Sequence, residues 1–512
     1  MALEKRVKYG YSVGHIFNDL CASMWFTYLL VYLQYVLQLD RGLSGFLLFL
    51  GQVADAVSTP LIAMQSDRGC TFGSYGRKKS WHVIGTICVI LSFPFIFIVC
   101  WVCFGSLGQG YVLMIGVMIC LFQFGWAAVQ VSHLALIPDL TDLEAERDEL
   151  NILRYVFDVC SDMLVYLVAW MAFSKSRTVE EKTAIGPEDA GKFQTITISV
   201  MIVGSIFSVI FHVFTPERGG RWTAEQEREV LSTETVDEVR ASTAAGAEGE
   251  DATTRPMGQL GLPDFRMHWR DWMNEPQFYK VMLLYANARL VANLANIYMP
   301  IFLQESVHAR ESMIALIPLC MSLSGVGASF LLKGMRKFIG KKACVVVGIV
   351  IGLVAATVSA LPWMPEWALY CLSVLWGVSG SLLIVLSLAF TSDIIGVRTE
   401  SSSFVYGSLC FGDKIVNGLA VFLIQELTRT ACMGPDCSNY YRHVMSLGIF
   451  IPLMLCFIAM CLISRERLGH TRKLAKAYKE REESSGSSGS SESSEILLST
   501  NTNLGYGTVT KV

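Results

Sequence analysis

The chain has 512 residues, 53% of them hydrophobic and only 17% charged, with a mean hydropathy of +0.45. That is too apolar for a soluble protein of this size, and the apolar residues form long blocks rather than the short alternating segments of a β-barrel, so an all-α membrane protein is expected. The net charge of −3 says nothing of an acidic partner; no nucleic-acid partner, cofactor or metal is expected, and the absence of a phosphate loop, nucleophile elbow or metal motif argues against an enzyme.

The first apolar stretch follows Lys5, Arg6 and Lys8 and carries His15, Asn18 and Asp19. It is too long and too polar for a cleaved signal peptide and reads as a span that stays in the protein. A bilayer core needs about 20 apolar residues per helix, and lipid-exposed backbone must satisfy its own hydrogen bonds. Spans are expected near 10–37, 43–65, 80–104, 111–138, 150–174 and 193–214. A second set is expected near 278–304, 312–333, 343–362, 366–390, 403–427 and 440–463. Residues 1–214 and 278–463 are thus two six-helix bundles. The segment 215–277, with its Ala/Thr/Glu/Gly-rich stretch, reads as a flexible cytosolic linker, and 464–512 as a disordered cytosolic tail.

Short-loop Lys and Arg set orientation. Lys5, Arg6, Lys8, Arg68, Arg77, Lys78, Lys79, Arg147, Arg336, Lys337, Lys341, Lys342 and Arg398 gather on one side, whereas the opposite loops at 105–110 and 362–366 have none, although Arg310, Arg429 and Arg442 also fall on that opposite side. Both termini are therefore expected in the cytosol. Most of the 15 cysteines lie in apolar spans as small buried hydrophobes. Cys432 and Cys437 instead flank a short polar loop, where a disulfide is possible if the loop faces an oxidising lumen.

The halves repeat. Gly76-Arg77-Lys78-Lys79 follows span two, and Gly340-Lys341-Lys342 follows span eight. Asp139, Tyr155 and Asp162 have counterparts in Asp393, Tyr406 and Asp413. Such six-span repeats are a transporter architecture.

A charge near the bilayer centre costs about 2.5–3.5 kcal/mol on insertion scales, so it persists only when paired or facing a cavity. Here polar residues share helix faces. His15, Asn18 and Asp19 do so in span one, Gln52, Asp55 and Thr59 in span two, and Gln123, Trp126, Gln130 and His133 in span four. Span five has Arg154, Asp158, Asp162 and Tyr166; span seven Tyr285, Arg289, Asn293 and Asn296; span eleven Tyr406, Asp413, Lys414 and Asn417. The bland reading is internal pairing that holds helices together. The functional reading is a wet central cavity of both charge signs, formed by Asn18, Asp19, Asp55, Gln130, Arg154, Arg289, Asn293, Tyr406 and Lys414. It suits a small zwitterion, carboxylate to Arg and ammonium to Asp. Asp67, Arg68, Arg77 and Lys78 are expected to gate, since basic loops dock on helix C-termini.

The run Gly51-Gln52-Val53-Ala54-Asp55-Ala56-Val57-Ser58-Thr59-Pro60, with Asp67-Arg68, Gly76-Arg77-Lys78, Leu136-Ile137-Pro138 ahead of Arg154, and Lys414, resembles one branch of the major facilitator superfamily. That branch is the glycoside–pentoside–hexuronide:cation symporters, which include the melibiose permeases. The resemblance implies twelve transmembrane helices in two six-helix pseudo-repeats that rock about a midplane site. It also implies a coupling cation at the span-two acids, spaced D-x-x-x-D-P. This sequence keeps Asp55 but has Thr59 at the second position, and Gln130 stands where the permeases' sugar-binding acid falls. Asp19 matches their span-one acid.

Within the branch, several runs resemble an animal group more closely: His15 and Asn18-Asp19-Leu20-Cys21-Ala22-Ser23-Met24-Trp25, Leu91-Ser92-Phe93-Pro94-Phe95, Gln123-Phe124-Gly125-Trp126-Ala127, and Phe404-Val405-Tyr406-Gly407-Ser408 with Asp413-Lys414. That resemblance implies cysteine import into lysosomes and melanosomes in support of pigmentation. A cation-coupled sugar symporter and a non-transporting membrane regulator remain the alternatives. The tail carries Gly505-Tyr506-Gly507-Thr508-Val509 and an acidic run before Leu497-Leu498, forms that clathrin adaptor complexes read in lysosomal proteins.

Overall fold

The computed structural model describes residues 3–68, 75–98, 108–141, 143–174, 185–216, 267, 269–395, 402–432, 437–464 and 468. Among them the regular structure is helical throughout. Six long helices form the first half: α1 (Lys5–Val36), α2 (Arg41–Arg68), α3 (Arg77–Phe97), α4 (Gln109–Ala135), α5 (Glu144–Ser174) and α6 (Ala190–Phe214). Six more form the second: α7 (Pro276–Phe302, continued by a π turn over Leu303–Val307), α8 (Glu311–Ile339), α9 (Lys341–Ser359), α10 (Glu366–Ile395), α11 (Ser402–Ala431) and α12 (Ser438–Ser464).

Eleven helices of the described residues are long and apolar enough to cross a membrane. The twelfth, α7, carries Asn287, Arg289, Asn293 and Asn296 in its middle, which lowers its hydropathy. It tolerates this because it is an interior helix, buried along most of its length. Its counterpart α1 is interior too, with 89% of its apolar window buried against 28–50% in the other ten. Large apolar side chains on the remaining helices, such as Leu113, Val213, Phe330 and Ile451, stay on the outside and suit a lipid surroundings.

The two halves repeat in backbone detail. α1 ends in a π turn at Tyr32–Val36 and α7 in one at Leu303–Val307. Each is followed by a left-handed residue that is not glycine, Gln38 at φ +53° and His308 at φ +54°. The chain then hooks back, Leu39 N–H to the Leu33 carbonyl and Ala309 N–H to the Leu303 carbonyl, both at 2.9 Å. At the other end, Gly76 (φ +101°) and Gly340 (φ +80°) open α3 and α9 in a conformation that L side chains resist. Across the halves α2 packs on α11, α5 on α8 and α1 on α7.

The second half begins earlier than position 278. A short helix, Trp269–Met273, precedes α7, and its Trp272 is fully buried. Pro276 then starts α7, where its missing N–H costs nothing.

Candidate functional site

Spacing on α1 and α5 brings together the first cluster. His15 Nδ1 lies 2.5 Å from Asp19 Oδ1, one turn along the same helix, and both side chains are buried. Asp158 on α5 shares a hydrogen bond with Asp19, and Arg154 lies within electrostatic reach of both acids. Ser23 donates to the Asp162 carboxylate, and a turn further Thr27 meets the Tyr166 hydroxyl at 2.9 Å. Asn18 donates to the Trp126 carbonyl of α4 at 3.0 Å.

The second cluster joins the halves. Lys414 on α11 reaches Asp55 Oδ1 on α2 at 2.6 Å, and the Thr59 hydroxyl at 3.0 Å. Thr59 itself donates to the Asp55 carbonyl at 2.9 Å, so the position that lacks a second carboxylate supports the ion pair instead. The third cluster lies within the second half. Arg289 Nε holds Asp413 Oδ2 at 3.2 Å, and Asn417 donates to the same carboxylate. Asp413 is buried, yet 37% of the Arg289 side chain is accessible. Arg289 is within electrostatic reach of Asp158 on α5 of the other half.

The expected residues are therefore partly assembled. Arg154 lies within electrostatic reach of Asp19 and Arg289 within reach of Asp158, while Asp55 and Lys414 pair directly. Gln130, Asn293 and Tyr406 are half-buried, on the same faces as Trp126, Arg289 and Asp413 by register, and Tyr406 is hydrogen-bonded to Ser392. Asp158, Asp162 and Asp413 belong to the polar interior although the sequence reading left them out of the binding set; their i, i+4 spacing to Arg154 and their place in the α11 stripe were the available signal.

At the basic-loop end, Lys78 Nζ lies 2.8 Å from the Ala135 carbonyl and 2.7 Å from Asp139 Oδ2. Lys341 repeats this with the Ala389 carbonyl at 3.4 Å and Asp393 at 2.5 Å. Lys79 and Lys342 reach carbonyls at the ends of α6 and α12. The basic loops thus dock on helix C-termini, where carbonyls lack partners. Just outside the α5 span, Glu146 accepts from the Thr141 hydroxyl and the Leu3 N–H, which holds its carboxyl below the usual range. Arg77 opens α3. The side chains of Asp67 and Arg68, and the tail residues Leu497, Leu498, Tyr506 and Val509, lie outside the described residues. At the opposite end Cys432 and Cys437 are joined by a disulfide, with Cα atoms 5.4 Å apart. There, too, Lys192 of α6 meets Glu311 of α8 at 2.6 Å across the halves.

A family model described as MFS/sugar transport protein matches residues 10–247 and 239–470, nearly all of both bundles. The chain belongs to this family of the major facilitator superfamily. It is similar to major facilitator superfamily domain-containing protein 12 of Homo sapiens, at 39% identity over 469 residues, covering 88% of this chain and 92% of that protein. The Mus musculus protein of that name is 37% identical, covering 89% and 93%. Among solved structures, a D-xylose-proton symporter superposes with a TM-score of 0.62 at 13% identity, covering 92% of this chain and 99% of that one. The inward open xylose transporter XylE from E. coli gives 0.60 at 16%, covering 92% and 98%. Those two likenesses speak for the fold alone. As a superfamily member the chain is a multi-pass membrane transporter with twelve helices in two pseudo-repeats, and not an enzyme.

Proposed function

We propose that this protein is an alternating-access carrier of a small zwitterion, a cysteine-like amino acid, taken into lysosomes and melanosomes. The observation that carries the reading is the Asp55–Lys414 ion pair between the halves, with acids and guanidinium groups of both halves within electrostatic reach of one another. Paired charges in a low-dielectric interior are costly to part without replacement. A zwitterion supplies the replacement: its carboxylate takes over from an acid at Arg154, Arg289 or Lys414, and its ammonium takes over from a base at Asp19 or Asp55. Asn18, Gln130, Asn293 and Tyr406 complete the polar lining. Asp55 with Thr59 is the candidate cation-coupling position, and Asp67, Arg68, Arg77 and Lys78 the candidate gate.

The organelle assignment draws on the likeness to the domain-containing protein 12 relatives and on the tail signals, Tyr506 with Val509 and Leu497-Leu498, as adaptor-binding strings. It takes both termini as cytosolic, from the Lys/Arg bias of the loops. Labelled cysteine uptake by proteoliposomes tests the carrier reading. Wild type accumulates label, and Asp55→Asn or Lys414→Met lowers the rate at least tenfold at equal incorporation. A sugar reading has one specific support, the description of the matching family model. Xylose and melibiose in the same vesicles decide it, and uptake of either without cysteine uptake refutes the zwitterion.

A further inference from the structure

Four of the eight histidines, His15, His82, His133 and His212, come from four different helices of the first half, α1, α3, α4 and α6, and meet inside it. Ring centroids are 4.8 Å apart from His212 to His82, 6.1 Å from His82 to His133 and 5.7 Å from His133 to His15. The string runs from Tyr75, beside the Gly76 turn, to Asp19 in the middle of α1.

The partners fix the tautomers. His82 Nε2 lies 3.2 Å from the Gly14 carbonyl, which only accepts, so that nitrogen bears the proton and Nδ1 is the acceptor. His212 Nε2, 3.1 Å from His82 Nδ1, is then a donor, and its own Nδ1 accepts from the Tyr75 hydroxyl at 2.8 Å. All three bonds point the same way, inward. His133 Nε2 donates to the Tyr11 carbonyl at 2.9 Å, and His15 donates Nδ1 to Asp19. That leaves His133 Nδ1 and His15 Nε2 buried with no hydrogen-bond partner among the described residues. Packing alone would favour Phe or Leu here, because unmet buried acceptors are costly. A proton passing along the string, or a water donating between the rings, supplies the missing donors.

We propose that these histidines are a proton relay linking the basic-loop face to Asp19 and its partner Asp158, and that Asp19 gives up its proton through it to that face before solute binds there, so that proton and solute cross in opposite directions. The proposal rests on the carrier reading above. The relay runs either way; in the direction that charges Asp19, a proton from the aqueous phase enters at His212 Nδ1, and His212 releases its Nε2 proton to His82 Nδ1. His82 passes on its Nε2 proton, by a ring turn or through a water, to His133 Nδ1. From there a proton reaches His15 Nε2, and His15 yields its Nδ1 proton to Asp19. One proton enters, one carboxylate becomes a carboxylic acid, and the tautomers reset by ring rotation. The acid then donates across to Asp158.

The charged and titratable groups around the string are Lys79, whose Nζ bonds the His212 carbonyl at 3.2 Å and lies 4.3 Å from the Tyr75 ring, and Arg154, in reach of His15 and His133. Asp162 and Arg289 stand beyond Asp158, and Tyr11 stacks on His133 at 4.2 Å. Lys79 and Arg154 both repel an imidazolium at these positions. Gly14 makes the approach possible, since a Cβ there would sit 2.4 Å from Phe211 and 2.8 Å from His133.

Two readouts test this on the full chain in lipid. In infrared difference spectra after a drop in pH, wild type gains a carboxylic-acid carbonyl band that Asp19→Asn removes, and in His82→Gln the band forms at least tenfold more slowly. In proteoliposomes, His82→Gln and His212→Gln keep cysteine exchange at equal pH within twofold of wild type but lose at least tenfold in accumulation driven by a pH gradient. Added imidazole restores His212→Ala, which a packing role does not predict. Unchanged band kinetics, or full gradient drive in the His212→Gln variant, overturns the relay. If wild type exchanges no cysteine, the solute assignment fails and the infrared rate alone decides the relay.

Discussion

In the C-terminal half the buried charges close on one another: Arg289 holds Asp413, and Asn417 donates to the same carboxylate. In the N-terminal half the equivalent interior leaves His15 Nε2, His133 Nδ1 and Arg154 Nε without a partner among the described residues. Yet the two halves share their scaffold, with π turns at Tyr32–Val36 and Leu303–Val307, left-handed Gln38 and His308, and docked lysines after Gly76 and Gly340. The duplicated backbone is a frame that tolerates different interiors. One half is locked by matched charge, and the other holds unmet hydrogen-bonding capacity that a solute or proton can use.

The largest expected effect breaks the locked half. Arg289→Ala strands the Asp413 carboxylate and should cost about 3–5 kcal/mol, read as a lower Tm in detergent. Arg289→Met with Asp413→Leu should recover most of that stability while uptake stays lost; if uptake returns with it, Arg289 does not touch solute. Next comes the bridge between halves. Charge reversal at either Asp55 or Lys414 alone should abolish uptake, and the double swap should recover a measurable part of it. The open half should respond more mildly. Asp158→Asn replaces one partner of an acid pair and should shift stability by no more than about 1 kcal/mol, against several for Asp413→Asn, and a comparison of the two melting curves checks it. Smallest of all, Gln38→Gly and His308→Gly should each raise Tm slightly, because a non-glycine residue in the left-handed region costs about 1–2 kcal/mol and glycine returns part of it as chain entropy. A rise in only one half would refute the shared-scaffold view.

Much of this was legible in the sequence. Twelve spans could be placed because each helix must bring its own apolar length, and even polar α7 stood out through its Arg289, Asn293 and Asn296 stripe. The repeat was readable in Gly76 and Gly340, although the docked lysines are one residue out of register, Lys78 against Lys341. Periodicity identified which residues share a helix face, including Asp158 and Asp413. It could not say which faces meet, so the direct Asp55–Lys414 pairing came only with the fold. His82 and His212 gave no signal, since each is the single histidine of its helix and their meeting depends on three-dimensional packing. The helix at Trp269–Met273 was missed because its five residues follow a polar segment and show no period.

The polarity of α7 bears on how the protein is made. A helix with an arginine and three asparagines near its centre gains little by leaving the translocon for lipid alone. It becomes stable once α10, α11 and α12 surround it, and those are synthesised later. The nascent C-terminal bundle should therefore be released into the bilayer as a group, and a chain cut after α8 should leave α7 stranded at the insertion machinery as a substrate for quality control.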